Sequence, residues 1–194
     1  MLRKISLALV MMAVAGAFLL APVNAQTSAK LVVVSGQKVF LGLDSPGNIT
    51  CVGGELKAPL NPMDPCTSGT RRILIRNQTA RVRYDIVAGP AELFGGTSAA
   101  TLNYNLGPDL TGPVWGAFTW TVKSKFLGDP GETWEGVWFG QADLKTFVIT
   151  FTVIGHGYGV RLDGLEFEIH AMFPGLPVPL GSGPFTGRVV GPGR

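Results

Sequence analysis

The chain has 194 residues, of which 46% are hydrophobic and 15% charged, with 27 glycines and 14 prolines. Its formal net charge of +3 includes Arg3 and Lys4, and without these two residues 14 basic side chains face 13 acidic ones. No basic block remains, so the charge gives no support to a nucleic-acid partner.

Residues 1–25 have the three parts of a secretory signal peptide: a positive start, the apolar run ISLALVMMAVAGAFLL and a small-residue cleavage signal at Val23-Asn24-Ala25. The apolar run is short for a membrane span, which favours cleavage over an uncleaved anchor. Gln26 stands where lipid attachment would require a cysteine. We therefore expect a secreted or periplasmic protein that has no membrane span after cleavage and forms a single domain over residues 26–194.

The two cysteines, Cys51 and Cys66, bracket the segment CVGGELKAPLNPMDPC. In an exported protein, this pair and its Gly- and Pro-rich segment predict a disulfide that closes a loop. A metal site is the alternative, but only Glu55 and Asp64 could add ligands from within the loop. We predict the disulfide, with no metal ion and no other cofactor.

Downstream of the cleavage signal, apolar residues recur with period two, and turn residues interrupt them about every ten positions, which is typical of an all-β protein. In ARVRYDIV, for example, Val82, Tyr84 and Ile86 share one face of a strand. The predicted strands are residues 30–35, 38–43, 71–76, 80–87, 99–105, 114–123, 133–144, 146–154, 165–173 and 185–190.

Glycines within these strands favour a closed barrel over the alternative, a β-sandwich. Both architectures limit exposed strand edges. Gly116, Gly136 and Gly140 lie in strands rich in bulky residues, and a strand glycine allows a sharp bend or lets a large neighbour lie across it. We predict one antiparallel barrel of eight strands or slightly more, with irregular structure in the cysteine loop and in a Pro/Gly-rich segment near residues 174–184.

Part of the sequence resembles a known group of barrels. The matching features are Trp134-Glu135-Gly136-x-Trp138, Gly140, the motif GHG at 155–157, and Leu162-Asp163-Gly164-Leu165. With these features the chain resembles bacterial exported proteins that are similar to the allene oxide cyclase and dirigent barrels, which have calycin-like folds. The resemblance implies an eight-stranded antiparallel barrel whose interior can hold a small hydrophobic molecule. It carries no catalytic residue over to this chain.

Aromatic residues are the strongest candidates for a ligand site. Two predicted strands carry large rings at short spacing, so several rings should meet on adjacent strands, and the set is Trp115, Phe118, Trp120, Trp134 and Trp138. They form either the core of the barrel or the aromatic walls of a pocket, or an aromatic platform for sugars.

His156 completes the candidate set, in the segment GHGYGVRLDGL. We interpret its glycines as punctuation at the junction of two strands, with His156 projecting from it and bonded to a backbone carbonyl. A catalytic or ligand-binding histidine is the alternative, whereas a metal site with His170 has no compact ligand spacing. The chain also has no Gly-x-Ser-x-Gly nucleophile motif and no phosphate-binding loop.

Three functions are compatible with this sequence. The first is an exported barrel that binds a small, mainly hydrophobic ligand. The second is a cyclase or isomerase of the allene oxide cyclase type, and the third is a structural or adhesive protein of the cell envelope. A wide interior cavity with ionisable groups would favour the enzyme, a dry cavity the binding protein, and a solid core the structural role.

Overall fold

The computed structural model describes residues 30–59, 65–122, 131–174 and 181–191. The predicted signal peptide and most of the Pro/Gly-rich segment near 174–184 lie outside them. The elements in chain order are β1 Lys30–Ser45, β2 Asn48–Val52, β3 Arg72–Ala88, the short helix α1 Ala91–Phe94, β4 Gly96–Leu106, β5 Thr111–Val122, β6 Glu132–Asp143, β7 Val148–Tyr158, β8 Glu166–Pro174 and β9 Ser182–Gly191. No helix in the described ranges is long and apolar enough to cross a membrane.

The strands form a closed antiparallel barrel, as predicted. Eight of them follow one another in the order β1, β9, β8, β7, β6, β5, β4 and β3, and β3 pairs with β1 to close the ring. The ninth, β2, adds to the part of β3 that β1 does not cover. The predicted eight-stranded barrel is therefore confirmed, and the alternative of a sandwich is not.

Two pairs of predicted strands are single long strands in the structure. Residues 30–35 and 38–43 are both in β1, and the predicted strands 71–76, from Arg72 onward, and 80–87 are both in β3. The Ser-Gly-Gln and Asn-Gln-Thr segments between them resemble turns in sequence, but they stay within the sheet. Asn77 has a φ of 56° and forms a bulge between Ile75 and Gln78, so the strand bends without ending.

Large rings lie over glycines throughout the barrel interior. Paired positions on neighbouring strands place Gly116 beside Trp138, Gly136 beside Phe118, and Gly140 beside Phe151. A Cβ added at any of these glycines would overlap a carbonyl oxygen of the neighbouring strand. The glycines predicted to accommodate bulky neighbours therefore do so, and they allow adjacent strands to approach more closely than alanine would permit.

One end of the barrel is closed by α1 and by the connection between β7 and β8. Phe94 of α1 is fully buried and stacks on Trp134, with ring centroids 5.4 Å apart. At the same end the buried carboxylate of Glu132 pairs with the guanidinium of Arg161. The same carboxylate accepts a hydrogen bond of 2.6 Å from the backbone N–H of Arg161. These contacts fasten both connections to the barrel wall.

The predicted disulfide is present between Cys51 and Cys66, whose Cα atoms are 5.8 Å apart. Cys51 lies in β2 and pairs with Ile73 of β3, whereas Cys66 lies in the loop that follows and is buried. The bond therefore attaches the loop to the one strand that is not part of the closed ring.

The glycine contacts lead to a stability prediction. Gly136→Ala should lower the free energy of unfolding by about 1–3 kcal/mol, because its methyl group would overlap the backbone of β7. Gly131→Ala is the matched control, since the nearest atom to its added Cβ would be 3.8 Å away, and its effect should stay below about 0.5 kcal/mol. Urea denaturation of both variants measures the difference, and equal midpoints would contradict the packing described above.

Removal of the disulfide should be costly as well. Replacement of both cysteines by alanine should reduce the free energy of unfolding by about 3 kcal/mol, because the bond restricts a loop with a sequence separation of 15 in the unfolded chain. Denaturant titration of the double variant and the parent measures this loss. Reaction of the unreduced parent with a thiol alkylator would show that the bond is absent in solution.

Candidate functional site

The predicted aromatic set divides between the two faces of the barrel wall. Phe118, Trp120, Trp134 and Trp138 point inward and are all at least 92% buried. Trp115 has the opposite parity in β5 and lies on the outer face, 38% exposed, with the guanidinium carbon of Arg76 5.0 Å from the centre of its ring. The structure thus brings four of the five rings together.

Two of these four rings belong to a packed core. Trp120 stacks on Tyr84 with centroids 4.1 Å apart, and Trp134 meets Phe167 edge-on at 4.9 Å. The indole N–H of Trp134 donates a hydrogen bond of 2.7 Å to the carbonyl oxygen of Leu93 in α1. This half of the interior is filled by protein side chains up to the end that α1 closes.

A small cavity lies in the other half of the interior, where Phe118 and Trp138 contribute to its wall. Its volume is about 40 Å³. Apolar side chains from most of the barrel strands line it, together with four polar residues, Lys38, Tyr84, Ser98 and Tyr104. The cavity is therefore mainly apolar, with a few inward polar groups, a composition that is common in small-molecule sites.

Lys38 is the charged residue of this cavity. It lies in β1 opposite Tyr84 of β3 and Gly183 of β9, and it is only 9% exposed. Its Nζ atom is 3.7 Å from the ring centre of Phe151 and 5.0 Å from that of Phe173. Such cation–π contacts stabilise an ammonium group, but they do not replace the hydrogen bonds that it makes in water.

No residue in the described ranges forms a salt bridge or a hydrogen bond with the Lys38 amine. Burial lowers the pKa of Lys38 from 10.5 to about 7, because the charged form loses its hydration. The amine is therefore divided between its charged and neutral forms near neutral pH. A charged amine can bind an anion, and a neutral one can act as a base or a nucleophile.

The hydroxyl-bearing residues of the cavity complete its polar set. Tyr84, Tyr104 and Ser98 form no side-chain hydrogen bond with another residue in the part of the chain that the structure describes. Burial raises the pKa of both tyrosine hydroxyls, so they stay protonated and can donate hydrogen bonds. The cavity thus combines one amine with three hydroxyl groups that have no hydrogen-bond partner among the described side chains.

Lys38 is the functional candidate that our sequence analysis missed. Its signal is present in the alternation of β1, where Val34, Gly36, Lys38 and Phe40 share the inward face. Gly36 suggested a break between two strands, so the alternation of inward and outward residues before it did not assign Lys38 to the inward face. A lysine within an apolar alternation would have pointed to this site.

His156 lies away from the cavity, on the outer face of β7. It is 57% exposed at its side chain, and its Nδ1 atom is 3.3 Å from a carboxylate oxygen of Glu166 on β8. Its predicted partner was a backbone carbonyl, but the structure places this carboxylate beside it instead. The aromatic cavity and His156 are therefore separated by the barrel wall.

Only two of the four glycines around His156 lie at the predicted junction of two strands. Gly155 and Gly157 are within β7 and not at a strand junction, since β7 extends to Tyr158. Both face inward, where an added Cβ at Gly155 would be 2.5 Å from the ring of Phe167. The turn comes later, at Gly159 and Gly164, whose φ angles are 109° and 74°.

The second histidine is also on the outer surface. The Nε2 atom of His170 lies 3.3 Å from a carboxylate oxygen of Glu168, which is also paired with Arg188 of β9. The Nδ1 atom of His170 is 3.1 Å from the hydroxyl oxygen of Thr152. Glu166 and Glu168 therefore belong to a solvated face and not to an enclosed carboxylate pair. In the described ranges, no three His, Cys, Asp or Glu side chains are grouped in a way that could hold a metal ion.

Comparison of the chain with family models, curated proteins and solved structures finds no match. The resemblance to the allene oxide cyclase and dirigent barrels accordingly stays a prediction. Among the described residues of the barrel interior, those around Lys38 could bind or react with a ligand.

Lys38 should make stability depend on pH. Below about pH 7 both the folded and unfolded states bind its proton, whereas between about pH 7 and 10.5 only the unfolded state does. The free energy of unfolding should therefore rise with pH in this window, by about 1.4 kcal/mol per unit relative to Lys38→Met. Denaturant titrations of both proteins from pH 6 to pH 10 measure this difference, in which the contributions of the tyrosines cancel. A constant difference would contradict a buried, desolvated amine.

Proposed function

We propose that this chain is a small-molecule-binding barrel whose ligand has an apolar body and a carboxylate or carbonyl oxygen that Lys38 binds. The observation that carries the proposal is Lys38, a residue only 9% exposed, whose amine faces an aromatic cavity and has no hydrogen-bond acceptor among the described residues. Burial of an amine without an acceptor destabilises the folded protein. A ligand oxygen would supply the acceptor, and the rings would cover the apolar body.

The cavity volume limits the size of the ligand. Typical sites for drug-sized molecules measure roughly 300–1,000 Å³, whereas this cavity measures about 40 Å³. A few water molecules or the polar end of a small organic molecule fit without rearrangement. We therefore expect short-chain or single-ring compounds to bind, rather than a long lipid enclosed within the barrel.

A structural barrel is the second candidate, and the filled half of the interior supports it. There, the rings of Trp120, Trp134 and Phe94 leave no room for a ligand. The cyclase or isomerase would have to use the same cavity, where the Lys38 amine and the two tyrosine hydroxyls are the available proton-transfer groups. Binding at Lys38 is required for the ligand-binding protein and for the cyclase or isomerase, but not for the structural role.

Direct binding to small carboxylates tests the proposal. Butyrate, hexanoate and benzoate should bind the parent protein, measured by saturation-transfer NMR and calorimetry. Binding should be tighter at pH 6 than at pH 8.5, because the charged amine is the form that attracts a carboxylate. Lys38→Met should weaken binding at least tenfold.

Lys145→Met provides the control, since Lys145 is an exposed lysine in the connection between β6 and β7. It removes the same charge from the protein without changing the cavity, so its affinity should equal that of the parent. Equal affinities of the Lys38→Met protein and the parent, or no binding to either, would reject the binding function and leave the structural barrel.

A further inference from the structure

We propose that Lys38 is also a nucleophile, which forms a reversible imine with small aldehydes and ketones that enter the barrel cavity. This inference rests on the binding function proposed above and specifies a reaction of the bound molecule. An amine that faces a mainly apolar cavity inside the barrel is placed to react with the carbonyl end of a small molecule that enters there.

The surroundings of Lys38 favour attack by nitrogen. Aromatic rings cover the amine, with Phe151 at 3.7 Å and Phe173 at 5.0 Å from the Nζ atom. No carboxylate in the described ranges pairs with it, so no ion pair holds it in the protonated form. Its lowered pKa, about 7, supports this geometry, because an ordinary lysine near pH 7 is neutral in only roughly one molecule in a few thousand.

The reaction is a condensation that needs no oxidant or reductant. The nitrogen lone pair forms a bond with the carbonyl carbon, and the carbonyl π electrons move to oxygen. Transfer of a proton from nitrogen to that oxygen gives a neutral carbinolamine. The C–O bond then breaks as the oxygen takes up a second proton and leaves as water, while the nitrogen lone pair forms the C=N bond. Loss of the remaining N–H proton gives the imine, so amine plus carbonyl compound yields imine plus water.

Tyr84 and Tyr104 are the groups that would assist proton transfer. Both line the cavity, and Tyr84 is paired with Lys38 across β1 and β3. Because burial keeps their hydroxyls protonated, they can donate a hydrogen bond to the carbonyl oxygen and a proton to the leaving hydroxyl group. Water regenerates the amine by the reverse steps.

Reductive trapping tests the inference on the full chain. Propanal or benzaldehyde is added with cyanoborohydride, whose hydride reduces the imine carbon and fixes the group on nitrogen as a secondary amine. Intact-mass measurement and peptide mapping then give the rate of labelling at each lysine. Labelling of Lys38 should be at least tenfold faster than that of Lys145 and should be lost in Lys38→Met.

The pH profile and a competition experiment add readouts that do not need a variant. The rate of labelling of Lys38 relative to that of Lys145 should be greatest near pH 7 and should decrease toward pH 10, because over this range the neutral fraction rises far more for an exposed lysine than for Lys38. Butyrate should slow the labelling of Lys38 and leave Lys145 unchanged, because only Lys38 shares its site with the carboxylate. Tyr84→Phe should slow imine formation severalfold while butyrate affinity falls less.

The outcomes separate this inference from the binding function. If butyrate binding depends on Lys38 but propanal labels all lysines at similar rates, the imine chemistry is wrong and the binding function stands. If neither butyrate binding nor fast labelling depends on Lys38, both proposals are wrong. Fast labelling of Lys38 that butyrate does not slow would show that carboxylates do not bind at this amine, and would overturn the binding function on which the inference rests.

Discussion

The interior volume of an eight-stranded barrel limits everything else in this structure. Such a barrel has room for little more than its own inward side chains. Here four inward rings of the strands and Phe94 of α1 are grouped around Phe167, which is one of the four, and glycines on neighbouring strands provide the space that the rings occupy. Large and small residues must therefore be matched in pairs across strands, and a change at either member of a pair would affect the other.

The same volume limit determines the surroundings of two inward charged residues, Glu132 and Lys38. At the filled end, rings and the side chains of α1 take up the interior, and the charged residue there, Glu132, has a guanidinium partner. At the other end Lys38 lies among the rings of Tyr84, Phe151 and Phe173 without such a partner in the described ranges. The paired carboxylate of Glu132 therefore has a structural role, whereas the amine of Lys38 is available to a ligand.

Much of this fold could be predicted from the sequence because its signals are local. Period-two alternation gave the strands, the strand glycines favoured the barrel, and the spacing of Cys51 and Cys66 indicated the bond between them. The long strands were missed where a bulge or a glycine looked like a turn, since register depends on partners far away in the chain. The functional site was predicted less well, because we did not assign each candidate side chain to the inner or the outer face of its strand. Trp115 and Trp120 are five positions apart and therefore lie on opposite faces of β5, yet both were placed in one candidate set, and only Trp120 faces the interior.

The pairing of β1 has a consequence for how the chain folds. This first described strand pairs on one side with β3 and on the other side with β9, the last described strand. The remaining neighbours in the ring are consecutive strands that form from nearby segments. The contact between β1 and β9 joins the most distant parts of the described chain, and contacts of that kind slow folding because a long loop must close first. Until that contact forms, both of these strands expose an unpaired edge, so the interval before ring closure is when the chain is most open to aggregation or to assistance by a chaperone.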